Sequence, residues 1–189
     1  MIKGIHHVTA IAGSATRNYE FYTDVLGLRL VKKTVNFDDP STYHLYYGNE
    51  TGEPGTILTF FPWEGIRQGR PGAGQVTSTA FSVPPESLVF WRERFERFGV
   101  YFNNPGERLG DGVITFLDPD GLKLDLVARD SGASENIHTT GEISAEHAIR
   151  GFHSASLTLE GYEATAELIS GLLGFRKIDE ERNRFRFIN

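Results

Sequence analysis

Two adjacent histidines, His6 and His7, lie in the stretch Gly4-Ile5-His6-His7-Val8-Thr9-Ala10-Ile11. The stretch reads as a strand, so Ile5, His7, Thr9 and Ile11 share one face while His6, Val8 and Ala10 share the other. At most one of the two imidazoles can then look into a given cavity. A neutral imidazole is the commonest metal-ligating side chain, and its ordinary pKa lies close to physiological pH. Taken alone, such a pair is more often two ordinary strand residues, one half-buried and one wet. Cysteine is absent, which excludes disulfides, thiolate zinc sites and a cysteine nucleophile together. Any metal must be held by histidine and carboxylate, a ligand set that suits iron, manganese or zinc. His44 sits among Tyr43, Leu45, Tyr46 and Tyr47 and reads equally as a strand residue packed among aromatics or as a cavity-lining group. His138 and His147 fall in a polar stretch and receive no role.

The elements that would position these residues follow from pattern. A 189-residue chain that is 39% hydrophobic and 12% aromatic can build a real core. It has no run long enough to span a membrane and no charged-then-apolar leader at Met1, which predicts a soluble cytoplasmic protein. The net charge of −6 argues against nucleic acid, and the Arg92–Arg97 run, interleaved with Glu93 and Glu96, reads as a solvated helix face. After the opening strand, Gly13-Ser14 signals a helix start. Tyr19, Tyr22 and Leu26 recur at helical spacing, and Gly27 stops the helix. Strands are expected over 28–37, 43–47 and 56–61. Residues 63–74 have linker composition. The order then repeats: a strand over 75–83, a helix marked by Leu88, Trp91, Phe95 and Phe98 and stopped by Gly99, and strands within 101–108, 113–117 and 123–127, with a turn at Asp118-Pro119-Asp120-Gly121.

A third round opens at Gly151-Phe152-His153. Gly4-Ile5-His6 matches it at a shift of 147 residues, and at the same shift Val25-Leu26-Gly27-Leu28-Arg29 falls on Leu172-Leu173-Gly174-Phe175-Arg176. Self-similarity of this kind means one supersecondary unit used repeatedly. The reading is an α+β chain of repeated strand–helix–three-strand units: a first domain over 1–130 (units 1–62 and 75–127), a linker over 131–150, and the incomplete start of a second domain over 151–189. The third unit lacks part of its strand set, so the chain is expected to be a piece of a longer one or to be completed by another chain.

These units, the His-Val strand start, the Phe21-Tyr22…Leu26-Gly27 helix end and the Asp-Pro-Asp-Gly turn resemble the vicinal oxygen chelate superfamily of glyoxalases, bleomycin-resistance proteins and extradiol dioxygenases. Tyr43-His44-Leu45-Tyr46, Pro54-Gly55-Thr56 and Arg150-Gly151-Phe152-His153 are similar to the members that open hydroquinone rings. The resemblance implies βαβββ units forming curved mixed sheets and a dioxygenase that opens a hydroquinone- or catechol-like diol with dioxygen at iron(II), with manganese or zinc as the alternative metals. It implies His7 as the metal ligand and His6 and Thr9 as catalytic residues at the ring-binding cavity, with the other His and the Glu beyond Asn189. The partners implied are the small diol and dioxygen, with a homo-oligomer or a missing C-terminal half completing the site.

The second unit departs from the superfamily pattern. Where many members place a His and a Glu, this chain has Ser78 or Thr79, and Asp125. His153 and Asp125 are the pair that would form a second metal cup, against the simpler reading of His153 as a hydrogen-bonded core residue. Two other functions fit the same fold. One is an aromatic- or antibiotic-binding protein without chemistry, and the other is a glyoxalase-type metal-dependent isomerase.

Overall fold

The computed structural model describes residues 2–129 and 136–189. Its first sheet has the order β1-β4-β3-β2, from β1 (His7–Ala12), β2 (Arg29–Val35), β3 (Tyr43–Gly48) and β4 (Ile57–Pro62). β1 runs parallel to β4, and the other pairs are antiparallel. The second sheet has the order β6-β7-β8-β5-β9: β5 (Gln75–Val83), β6 (Gly106–Arg108), β7 (Asp111–Leu117), β8 (Lys123–Ala128) and β9 (Gly151–Thr158). Both sheets are mixed and open, closing into no barrel. Between their first and second strands lie α1 (Ala15–Glu20) and α2 (Leu88–Phe98). The architecture is the expected α+β repeat. The opening strand starts at His7 rather than Gly4, so His6 belongs to the lead-in.

Ser14 caps α1 by accepting the Arg17 N–H. The helix then widens into a π-helical turn over Phe21–Val25, in which the Leu26 N–H reaches the Phe21 carbonyl. Gly27 ends it with φ +66°. A Cβ there would lie 2.5 Å from Ile143 Cδ1, so both backbone and packing require glycine. The buried stripe is Asn18, Phe21, Tyr22, Val25 and Leu26, whereas Tyr19, expected within it, is exposed. Asn18 takes the inward place because its Oδ1 accepts the buried Tyr47 hydroxyl at 2.9 Å. In α2, Trp91 and Phe95 are fully buried. Phe98, expected to join them, is exposed at the last turn under the guanidinium groups of Arg94 and Arg97.

One apolar cluster runs beneath both helices. Tyr22 packs on Phe60 and Tyr47, and Phe95 on Phe116. Arg94 ties the helices together: its Nε donates to the Val25 carbonyl at 2.7 Å and its Nη2 to the Asp24 carbonyl at 2.6 Å, meeting orphaned acceptors at the end of the first helix. Part of the expected linker lies outside the described residues. The rest is not a solvated tether, since Ile143, Ala148 and Ile149 join the core.

The third round begins as an extension of the second sheet, β9 pairing antiparallel with β5. It continues through α3 (Glu163–Gly171), which buries no residue, and the hairpin β10 (Arg176–Glu181) and β11 (Arg184–Ile188). Leu157, Leu168 and Leu172 are exposed. The sheets meet at a glycine seam. Gly55 N–H donates to the His6 carbonyl at 2.8 Å, and Phe152 N–H donates to the Gly55 carbonyl at 2.7 Å. A Cβ on Gly151 would stand 2.8 Å from that carbonyl. No helix among the described residues is long and apolar enough to cross a membrane.

Candidate functional site

Register sorts the first sheet into two faces. Val8, Ala10, Leu45, Tyr47, Leu58 and Phe60 pack into the core. The opposite face carries His7, Thr9 and Ile11 from β1, all exposed. Thr9 is level with Thr59 on β4 and Tyr46 on β3, and Tyr46 with Lys32 on β2. Thr9 Oγ1 and Thr59 Oγ1 are 2.9 Å apart and share a proton. Beside that row runs an aromatic one. The His44 ring lies 4.1 Å from Tyr46 and 4.0 Å from Phe61, and Phe61 stacks on Trp63. Tyr46 Oη is 2.9 Å from His44 Nδ1. Burial, together with the charges on Lys32 and His7, holds His44 below the usual imidazole range.

His7 and Thr9 therefore share the open face. His6, also exposed, precedes the strand, with its Nδ1 3.1 Å from His7 Nδ1. One of those nitrogens must carry the proton between them. If His7 donates it, His7 Nε2 is left bare and outward, the arrangement in which a second-layer partner fixes a metal-binding tautomer. Thr59, Tyr46, Phe61 and Trp63 went unremarked as site residues in the sequence. Period-two alternation places Tyr46 beside His44, but only the register across β3 and β4 joins them to Thr9.

The second sheet repeats the arrangement with other chemistry. Ser78, on the strand equivalent to β1, donates to Asp125 Oδ2 at 2.6 Å. Thr115 donates to Oδ1, and Arg108 Nη1 to Oδ2 at 3.0 Å. Asp125 is 1% exposed. Burial alone would raise its pKa, but these three donors outweigh burial and hold it below the usual carboxylate range. The alternative metal cup at His153 and Asp125 is thus filled by an internal ion pair. His153 bonds instead to Ser154 Oγ at 2.9 Å, with Arg186 and Arg129 among the charges around it. The Asp111 carboxylate, which also acts on His153, is already paired with Arg129 and Arg186. Among the described residues no group of three or more His, Cys, Asp or Glu side chains gathers to hold a metal. A groove of about 960 Å³ contains none of His6, His7 or Thr9, and its polar groups Arg17, Asp118 and Asp120 are engaged with neighbours.

The sequence profile of the Glyoxalase/Bleomycin resistance protein/Dioxygenase superfamily matches residues 4–126. The chain belongs to that superfamily. It is 49% identical over 184 residues to "Putative ring-cleaving dioxygenase MhqO" of Bacillus subtilis, covering 97% of this chain and 58% of that protein. It is 36% identical over 168 residues to the chlorohydroquinone/hydroquinone 1,2-dioxygenase of Sphingobium indicum, covering 86% of this chain and 51% of that protein. A crystal structure from Bacillus subtilis, described as a "putative dioxygenase", superposes with a TM-score of 0.92 at 48% identity, covering 97% of this chain and 59% of the other. This superfamily chain spans little more than half the length of the curated relatives it matches.

Proposed function

We propose that this chain contributes one wall of the active site of an iron(II)-dependent dioxygenase that opens an aromatic diol ring. The observation that carries the reading is a single sheet face on which an exposed imidazole, His7, stands beside a polar threonine pair and an aromatic row. The names of the relatives support the chemistry. Iron(II) held there would supply the redox chemistry that links the diol to dioxygen.

The donor set fits a shared metal centre. His7 offers Nε2, and the remaining ligands come from outside these 189 residues. His6 Nδ1 accepts the proton that His7 carries on its Nδ1, which orients the His7 ring and leaves its Nε2 bare. Thr9, its hydroxyl paired with that of the buried Thr59, offers a hydrogen bond to the bound ring's oxygen. Phe61, His44 and Tyr46, their rings tilted against one another, give an aromatic wall that favours an aromatic ring and excludes stray water. On an ideal strand His6 and His7 face opposite ways, so the His7 assignment has a sharp alternative.

The test is metal content after anaerobic loading of the full-length gene product with iron(II). His7→Ala is expected to lose stoichiometric iron, and His6→Ala to retain most of it but lose turnover. The reverse pattern of iron retention would mean that the other face binds. A non-catalytic aromatic-binding protein would bind the diol and leave oxygen uptake at background. A glyoxalase-type isomerase would need metal and no oxygen.

A further inference from the structure

We propose that Tyr46, held by His44, is a specificity-determining residue of this face, donating a hydrogen bond to the ring hydroxyl remote from His7. The proposal rests on the reading of this face as the ring-binding wall.

Three observations carry it. First, His44 has a single polar neighbour. Its Nδ1 is 2.9 Å from Tyr46 Oη, while its Nε2 is buried without a hydrogen-bond partner. A neutral imidazole has one N–H and one bare nitrogen. A buried N–H without a partner is the rarer arrangement in proteins. The proton therefore belongs on Nδ1, donated to Tyr46 Oη. The tyrosine oxygen accepts it, and its own hydrogen is free to point elsewhere.

Second, the ring orientations are fixed. His44 is packed between Tyr46 and Phe61 at 4.1 and 4.0 Å, and Lys32 Nζ lies 5.5 Å from the Tyr46 ring centroid. The Tyr46–His44 pair cannot swing away without breaking this stack.

Third, position selects the ligand geometry. His7 is on β1 and Tyr46 on β3, with β4 between them. Two strand spacings separate them laterally, about 10 Å, and both side chains rise from the same face. A ring reaching from one to the other presents oxygens at opposite ends. Two adjacent hydroxyls would both crowd toward His7 and leave Tyr46 without a partner.

The experiment is anaerobic calorimetric titration of the full-length, metal-loaded gene product with hydroquinone and with catechol. The wild type is expected to favour hydroquinone. Tyr46→Phe removes one oxygen and should weaken hydroquinone about tenfold, the value of one hydrogen bond, while leaving catechol within about twofold, which removes the preference. His44→Phe keeps the stack without the Nδ1 donor and should lose the preference too. His44→Asn, whose amide nitrogen overlays Nδ1, should recover part of it. A general loosening of the wall would weaken both diols together and leave their ratio unchanged. Hydroquinone preference retained in Tyr46→Phe overturns the proposal while leaving the ring-binding face intact. Preference retained in His44→Phe removes His44 from it. Failure of the wild type to bind either diol overturns both the proposal and the reading beneath it.

Discussion

His44 and His153 are both half-buried imidazoles, and both are held below the ordinary range, chiefly by burial. Each therefore takes up a proton more readily in the unfolded chain than in the folded one. Stability is at its full value above the ordinary imidazole pKa of about 6.5 and falls as pH drops from there toward the folded values. Urea midpoints at pH 7.5 and 5.5 should differ in the wild type, and His44→Phe should narrow the difference. Asp125 acts over a more acidic window. Its pKa is lowered by folding, so its contribution is present above the ordinary carboxylate value of about 3.9 and is lost as pH falls below it. Arg108→Met should destabilise the fold at pH 7 by less than the roughly 3–5 kcal/mol of a fully buried pair, because a quarter of the Arg108 side chain remains exposed. Denaturant titration of that variant checks this, and an unchanged midpoint would mean that Ser78 and Thr115 alone satisfy the carboxylate. The metal-cup alternative at Asp125 was readable from its position but not its neutralisation. Arg108 lies 17 residues away on a hairpin whose register no local pattern specifies.

At the scale of elements, α2 behaved as its spacing implies at Trp91 and Phe95. Phe95→Ala should cost about 3–5 kcal/mol, measured by chemical denaturation, and a change below 1 kcal/mol would contradict its burial against Phe102 and Phe116. The order of strands and helices along the chain and the glycine stops at Gly27 and Gly99 were legible, because apolar period and turn chemistry agree there, whereas α3 ends at Gly171, ahead of the expected stop at Gly174. The polar members of the buried stripes were not legible. Asn18 and Arg94 sit where an apolar pattern expects leucine, and what brings them inward is distant: the Tyr47 hydroxyl for one, the backbone carbonyls of Asp24 and Val25 for the other. Tyr19 was assigned inward in place of Asn18 for that reason. Removing the guanidinium in Arg94→Met should leave two helix-end carbonyls without their donor and lower stability by about 1–3 kcal/mol.

Under the proposed function, the whole described chain supplies one wall of a reaction chamber. His7 lies on an open face, and among the described residues no group of three or more His, Cys, Asp or Glu side chains gathers to hold a metal. Loaded with iron(II) and supplied with hydroquinone, these 189 residues alone should consume oxygen no faster than the free metal. The proximity advantage of holding two reactants together, up to about 7–11 kcal/mol of barrier, is absent. Sustained uptake with stoichiometric iron would show a complete site within this chain. Exposed Leu157, Leu168 and Leu172 should also make the isolated chain associate with itself as concentration rises, which sedimentation velocity would detect. His7 as candidate ligand is what the family resemblance implies; the wall around it needed three strands in register.

The glycine seam gives the site a history in time. The carbonyl of His6 is reached by Gly55, and the carbonyl of Gly55 by Phe152. During synthesis at about 5–20 residues per second, the histidines emerge first, yet the strand that braces them indirectly emerges roughly 7–30 s later at the same rate. Through that interval the imidazole pair is already outside the ribosome while its backbone support is still being made. A metal ion captured then would meet His6 and His7 as a loose pair, before the wall that distinguishes them exists.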